Sequence, residues 1–388
     1  MTKIIEIGHI VAGPTAGLLF HDLGFEVIKV EPITGEKART LNGTSIGVFP
    51  QFNRGKKSIA LDMESQEGQD ILRRLILKAD LLIDNLSPGY LDSIGLSYDH
   101  MCKLNTKLII ISLKGYGPGP YQDKKSLDFP IEVESGIAYM NGLTGRPLRF
   151  GSSVVDISVA MIGVMWGLTA LVNREKRDNE RIFKIGMYET AAFIMGQHIS
   201  AFQLLNEELK PFNEEGFAWG IYDFFLTADG EKIFIAITSD RQWADFCETL
   251  GLSMLNNTDY ATNNLRLKNR EKIIPIIAGR ISQIHSQLLI ELMEEKRISY
   301  AKLNKPWDLL VDKQMSSKFA KVRYMGKEIS LATTPGSKEL MAKVPELGEN
   351  STEILKLLGY SKSEIEDFFK KRIVIDPSYR RKIEEQKQ

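Results

Sequence analysis

The opening residues alternate strand, helix and strand, and that alternation restricts the chain to a parallel sheet. "KIIEIG" is a short apolar run of strand length. "AGLLFHDLG" carries Leu18, Leu19 and Leu23 on one side of a helix that Gly24 stops, and "FEVIKVEP" is a second strand ending at Pro32. Two parallel strands need a crossover, so the three pieces predict a right-handed β-α-β unit. The pattern then repeats. "KSIALDM" is followed by the helical "ESQEGQDILRRLILKA", the strand "DLLIDN", a turn at "SPG", a helix in two pieces through "YLDSIGLSYDHMCKLN", and the strand "LIIISLKGYG". This is the order of a doubly wound α/β domain, whose ligands sit at the carboxyl ends of the strands. The loops there are "GHIVAGP", "EPITGEKAR", "NLSPG" and "KGYGPGPY".

With 388 residues, the chain exceeds the size at which one core usually divides. Residues Val155 to Val172 predict one long buried helix, and "IFKIGMYETAAFIMGQHISAFQLLNEEL" a strand and a further helix. "KPFNEEGFAWG" breaks the pattern. "IYDFFLTADGEKIFIAI" is an antiparallel hairpin turning at Asp229 and Gly230, which places a boundary near Gly216. Helical sequence follows, with Trp243 and Phe246 on a core face, up to an end near Leu310. The expected organisation is a first part at 1–215, a smaller α+β domain at 216–310, and a linker with a return to the first domain at 311–388. Near the carboxyl end, Asn350 with Glu353 and Ser361 with Glu364 have the spacing of capping boxes. The tail "YRRKIEEQKQ" is expected to be a frayed helix.

Charge and composition narrow the function classes. Lys plus Arg and Asp plus Glu number 50 each, so no overall field attracts nucleic acid. Two cysteines far apart, Cys102 and Cys247, provide neither a disulfide framework nor a cysteine metal site and suit a reducing, cytoplasmic setting. "MTKIIEIGHIV" enters strand-like sequence without a targeting pattern, and no apolar run is expected to be long enough to cross a bilayer. Glu6 to His9 is the one E-x-x-H spacing and spans a strand end, so no metal is expected.

The candidate site residues each admit a structural role beside a functional one. "GHIVAGP" lacks G-x-G-x-x-G spacing, so a nicotinamide site is not expected, and Gly13 with Pro14 could simply turn the chain. His9 is the best placed of five histidines, for chemistry or for a local hydrogen bond. In "NRGKK", Arg54 and Lys56 could bind phosphate or form a solvated surface cluster, with Arg39 adding to the same edge if the loops converge. Asp128, Glu132 and Glu134 lie too close in sequence to say which faces a cleft. Asp156, a carboxylate inside the apolar "GSSVVDISVAMIG", could cap the following helix or act as nucleophile or base.

Taken in order, "AGPTAGLLFHDLGFEVIKVEP", "GEKAR", "NRGKKSIALD", "ADLLIDNLSPGYLDSIGLSYDHMCKLNTKLIIISLKGYGPGPY", "GSSVVDIS", "QWADFCETLG" and "VPELGENSTEILKLLGYSKSEIEDF" resemble the family III CoA transferases, which include the α-methylacyl-CoA racemases. The resemblance implies a Rossmann-like large domain built from both chain ends, an inserted α+β domain and an interlocked homodimer. It implies acyl-CoA and a small carboxylic acid as substrates and no metal. Asp156 falls on the family's nucleophilic aspartate, which forms aspartyl anhydride and aspartyl-CoA intermediates. His9, Ile10 and Ala12 match the loop lining the CoA cleft, and Arg39 the basic residue by the nucleotide end. Arg54 and Lys56 match a motif near the phosphates or acyl site, and Asn85 and Lys114 match cleft residues. Glu132 and His9 are the candidates to assist.

Departures shape the expectation. Leu127 precedes Asp128 where the racemases have histidine, which removes their second base. Glu132 stands where many transferases carry glutamine, Ser87 replaces an arginine expected to meet a CoA phosphate, and "NEEGFAWG" is a reduced form of a glycine-rich loop. The expected activity is transfer of CoA from a thioester to a free acid, on a small dicarboxylate or a branched or unsaturated acid. The alternatives are racemization, intramolecular CoA migration, and a noncatalytic CoA-binding scaffold.

Overall fold

The computed structural model describes residues 2–175, 180–214, 218–337 and 343–379. The chain divides into two units, Met1–Glu208 with Ser316–Gln388, and Leu209–Met315. The boundary expected near Gly216 and the tail beyond 379 lie outside the described residues.

In the larger unit, seven strands form one sheet in the order β12-β3-β2-β1-β4-β5-β6. They are β1 (Lys3–Ile7), β2 (Glu26–Pro32), β3 (Lys57–Leu61), β4 (Leu81–Asp84), β5 (Ile109–Lys114), β6 (Ile182–Gly186) and β12 (Val374–Ile375). All neighbours are parallel except β12, which runs antiparallel to β3. The protein is thus mixed α/β with a mostly parallel central sheet. Strand alternation sends Ile5, Ile28, Leu82 and Ile110 to one face, against the helix Gln66–Leu77 and the carboxyl-terminal Ile354, Leu355 and Ile365. Ile4, Val27, Leu81, Ile109 and Ile111 go to the other, against the first helix, Ala12–Asp22, and the helix Val154–Val172. The strand order reverses between β1 and β4, where a doubly wound sheet opens a crevice.

The first helix ends as its sequence predicts, in a Schellman turn. Gly24 is left-handed at φ +92° and donates to His21 O, while Phe25 N–H reaches Phe20 O. Leu18 is buried and Leu19 packs against the core as the leucine stripe predicts, but Leu23 is exposed. Ala12, Ala16 and Phe20 also go inward, because closely packed small residues bring this helix against its neighbour.

The helix Val154–Val172 extends the expected run by one residue. Contrary to the expectation for membrane length, it is long and apolar enough to cross a bilayer. Here Val155, Val159, Ala160, Gly163, Val164, Gly167 and Ala170 are buried, and Met161, Met165 and Trp166 are exposed. Of the two capping boxes, Ser361 with Glu364 forms as expected. Asn350 instead pairs with β3, its Oδ1 accepting Ser58 N–H at 3.0 Å and its own N–H reaching Ser58 O at 2.9 Å.

The unit Leu209–Met315 holds the antiparallel sheet of β7 (Ile221–Leu226), β8 (Lys232–Ile237) and β9 (Ser299–Lys302), with Gly230 left-handed in the hairpin turn. Trp243 and Phe246 are buried in its core. β10 (Phe319–Tyr324) and β11 (Lys327–Ala332) form a hairpin in the larger unit.

Beneath the crevice lies a buried ion cluster. Glu6 on β1 receives Lys29 Nζ from β2 at 2.8 Å and Lys56 Nζ at 2.5 Å, and all three side chains are fully enclosed. Lys56 also donates to Pro14 O and Asn53 Oδ1. Gly17 leaves the necessary space, since a Cβ there would lie 2.1 Å from Glu6 Oε2. Helix propensity alone predicts that Gly17→Ala stabilises by roughly 1 kcal/mol. The crowding reverses that sign, and we expect a loss of about 1–3 kcal/mol in urea unfolding.

Candidate active site

A cavity of ≈ 470 Å³ opens at the carboxyl ends of β1, β4 and β5. Its walls include His9 to Ala12, Lys37, Asn85 to Pro88, Leu113 to Gly115, Lys124 to Asp128, Pro130, Asp156 and Met187. Of the residues singled out in the sequence, it brings together His9, Ile10, Ala12, Asn85, Ser87, Lys114, Leu127, Asp128 and Asp156.

The loop after β1 is held from two sides. Asn85 acts like a piece of backbone, its Oδ1 accepting His9 N–H at 2.8 Å and its Nδ2 donating to His9 O at 3.0 Å. Gly8 and Gly13 allow this approach, because a Cβ on either would lie 2.8 or 2.6 Å from Asn85 Oδ1. Ile10 sits at φ +65°, a strained conformation for a β-branched residue. Its N–H donates to Glu36 Oε2 at 2.7 Å, and Glu36 in turn pairs with Lys29. The glycines of "GHIVAGP" therefore serve side-chain access and the helix start. Burial lowers the pKa of His9, which favours the neutral ring.

Arg54 and Lys56 are corrections to the sequence expectation. Neither lines the cavity nor belongs to a solvated cluster. Arg54 is fully buried and grips Asp22 with both amino groups at 2.8 and 2.5 Å, while Lys56 is held by Glu6. Burial pulls Lys56 down to about 8 against the pull of Glu6. Arg39 also lies off the cavity walls, forked onto Glu31 at 2.6 and 2.7 Å and stacked over Phe49. Lys114 lines the cavity but spends its ammonium on Asp84 and Leu86 O, each at 2.7 Å. Basic residues that line it and were not singled out are Lys37, Lys124 and Lys125. Their signal was present in "GEKAR" and "QDKKS", where cations adjoin loops at strand ends.

Asp156 is in the first turn of the helix Val154–Val172 and does not cap it. That task falls to Asp128, whose Oδ1 accepts the N–H groups of Val155 at 3.0 Å and Asp156 at 3.1 Å. Glu132 does not line the cavity. It is fully buried behind Asp128, with Oε2 accepting Phe150 N–H at 2.8 Å. Burial, reinforced by the charge of Asp128, pushes Asp156 up to about 7, with Arg149 opposing. The arrangement presents a carboxylate of raised basicity to a cavity bordered by a helix N-terminus and several cations.

The match to known proteins covers most of the chain. The model of CoA-transferase family III fits residues 2–351. The human succinyl-CoA:glutarate CoA-transferase is 28% identical over 91% of this chain and 84% of its own length. The (R)-2-hydroxy-4-methylpentanoate CoA-transferase of Clostridioides difficile is 27% identical over 96% and 98%. A CAIB/BAIF family protein from Brucella suis superposes with a TM-score of 0.79 at 27% identity, over 92% of this chain and 98% of that one. The chain belongs to CoA-transferase family III.

Because the Asp156 pKa in the folded chain lies above its ordinary value of 3.8, the folded state binds more protons between the two pH values. The stabilisation from that proton is complete below about pH 4 and lost as pH rises through about 7. Asp156→Asn should therefore melt above wild type at pH 8, with the difference shrinking below pH 4. Asp128→Asn removes the neighbouring charge, and carboxyl ¹³C NMR should show Asp156 titrating at lower pH than in wild type.

Proposed function

Taking that membership as premise, we propose that Asp156 is the nucleophile of a reversible CoA transfer from an acyl-CoA to a free carboxylic acid. The carrying observation is a basic carboxylate on the wall of a cavity at the switch point of the sheet, held by a helix that Asp128 caps. An Asp156 oxygen attacks the thioester carbonyl and expels CoA thiolate, giving a mixed anhydride. The thiolate then attacks the Asp156 carbonyl, releasing the first acid and leaving an aspartyl-CoA thioester. The acceptor carboxylate attacks that thioester, and the returning thiolate takes the acceptor acyl group from the second anhydride, restoring the Asp156 carboxylate. Each intermediate keeps one activated acyl bond, an anhydride or a thioester at Asp156, so the activation of the donor thioester is passed on rather than lost to water.

Amide N–H groups at the start of the helix Ala12–Asp22 are suited to the thioester oxyanion, and Lys37 and Lys125, beside a Lys124 already paired with Glu134, to the phosphates of CoA. Those lysines compensate for Ser87, which stands where the resemblance leads one to expect arginine. Ile10, Leu113, Leu127, Pro130 and Met187 give the cavity an apolar part that suits a short carbon chain. The acids named for the relatives, glutarate and 2-hydroxy-4-methylpentanoate, support a small dicarboxylate or branched acid as substrate. Leu127 ahead of Asp128 offers no second base for proton exchange at an α-carbon, which disfavours racemization.

We further propose the interlocked homodimer that the resemblance implies. Met161, Met165 and Trp166 on the outer side of the Asp156 helix, and Phe193 and Leu204 beyond it, are exposed apolar side chains of the kind that a second chain covers.

Asp156→Ala should lose at least about 10³-fold in transfer rate, assayed by mass detection of both thioesters across acyl-CoA donors and acid acceptors. Undiminished transfer by the folded variant would overturn the nucleophile assignment. Hydroxylamine added during turnover should leave a hydroxamate on Asp156 of the wild type. Light scattering on the purified chain should give twice the monomer mass.

A further inference from the structure

The carboxyl groups behind Asp156 pose a problem that the transfer chemistry does not use. Asp128 gives Oδ1 to the two amides of the Asp156 helix, and Glu132 gives Oε2 to Phe150 N–H. The remaining oxygens, Asp128 Oδ2 and Glu132 Oε1, are buried and receive no donor among the described residues. Arg149 Nη2 lies 3.8 Å from Asp128 Oδ2, which is beyond hydrogen-bonding distance. The two residues are four apart on the helix Asp128–Glu134, where side chains meet and two like charges repel. Glu132 is fully enclosed, so its ionised form would also be a buried charge without a cation in contact.

One proton between the acids resolves both problems. We propose that Glu132 holds that proton, donates its O–H to Asp128 Oδ2, and is thereby a positioning residue for the reaction at Asp156. The pair then carries a single negative charge. Asp128 keeps enough charge to cap the Asp156 helix, and Asp156 ionises against one neighbouring carboxylate instead of two. Burial pushes Glu132 up to about 7, and its hydrogen bond to Asp128 acts in the same direction, while Phe150 N–H and Arg149 oppose it.

Groups on the neighbouring elements leave this arrangement intact. Glu134, on the same helix, is taken by Tyr116 and Lys124. On the helix Met187–Ile194, Glu189 accepts Gly117 N–H and Tyr188 packs on Tyr116. Tyr139, on the helix Ile137–Asn141, is exposed. Among the described residues, Asp156 and Arg149 are the charged groups that remain beside the pair. As pH rises and Glu132 releases its proton, the second charge opposes ionisation of Asp156, so the two titrations interfere.

The inference rests on the reading of Asp156 as nucleophile for its importance to turnover, but its test does not require substrate. The full-length chain, with ¹³C-labelled Asp and Glu carboxyls, is titrated by NMR as wild type, Glu132→Gln and Glu132→Ala. In wild type, Glu132 should titrate near neutrality and Asp156 over a broadened range. In Glu132→Gln the amide still donates to Asp128 but cannot ionise, so Asp156 should titrate in one sharper step at lower pH. Turnover of succinyl-CoA with glutarate, as probe substrates, should fall at least about 10-fold in Glu132→Ala and be largely rescued in Glu132→Gln, with its acid limb moved to lower pH. A Glu132 signal titrating in the ordinary carboxylate range, or an Asp156 titration identical in wild type and Glu132→Gln, overturns the proposal. Transfer persisting in Asp156→Ala would instead overturn the nucleophile assignment and leave the shared proton standing.

Discussion

The crevice depends on a charge cluster that never reaches solvent. Glu6 stands between Lys29 and Lys56, and Lys29 extends the cluster to Glu36 at 3.1 Å. Two carboxylates and two ammonium groups would each resist burial alone, and mutual pairing with added backbone acceptors is what makes their enclosure tolerable. The consequence is geometric. β1, β2, the first helix and the entry to β3 are tied at one point, and Glu36 passes the constraint to the N–H of Ile10. A loop that would relax from φ +65° is kept against the cavity because relaxing it would take the N–H donor from Oε2 of the buried Glu36.

A second set of acids, much later in the chain, performs the opposite task. In the cluster beneath the sheet, cations hold the carboxylate pKa values of Glu6 and Glu31 down. Around Asp156 there is a distant guanidinium and another carboxylate, so burial prevails and basicity rises. The same carboxyl group is thus held ionised in one place and made basic in another, according to whether a cation is in contact. Asp128 shows how the two tasks meet. Its bonds to the Val155 and Asp156 amides fix the backbone under the Asp156 carboxyl, and its charge keeps that carboxyl from ionising too readily.

Elements governed by local pattern were legible in the sequence, and pairings across long separations were not. The strands, the Gly24 helix stop, the hairpin at Gly230 and the Ser361 capping box follow from periodicity, φ preference and three-residue spacing. "NRGKK" was misjudged because its partners, Asp22 and Glu6, lie 32 and 50 residues away, and a run of basic residues contains no record of which carboxylates will face it. The Asp156 cap failed for a related reason. Sequence shows an acid near a helix start, but Asp128, 28 residues earlier, arrives there first through the fold. Asn350 likewise has the spacing of a cap and is diverted to Ser58 by β3.

The helix Val154–Val172 unites these constraints, because its composition suits no single environment. An apolar stripe would suffice to cover a sheet, and this helix is apolar around its whole circumference. Its glycines, Gly163 and Gly167, press on Ile111, Leu113 and Leu81, where added Cβ atoms would lie within 3.0 Å, so the inner face is already filled to contact. Met161 and Met165 on the outside are exposed, and Trp166, though it stacks on Phe183, still leaves about half of its surface open. Water is a poor neighbour for that face, and a second chain is a better one. Covering it would also stiffen the helix whose first turn carries Asp156, so association and the placement of the carboxylate would be served by the same nineteen residues.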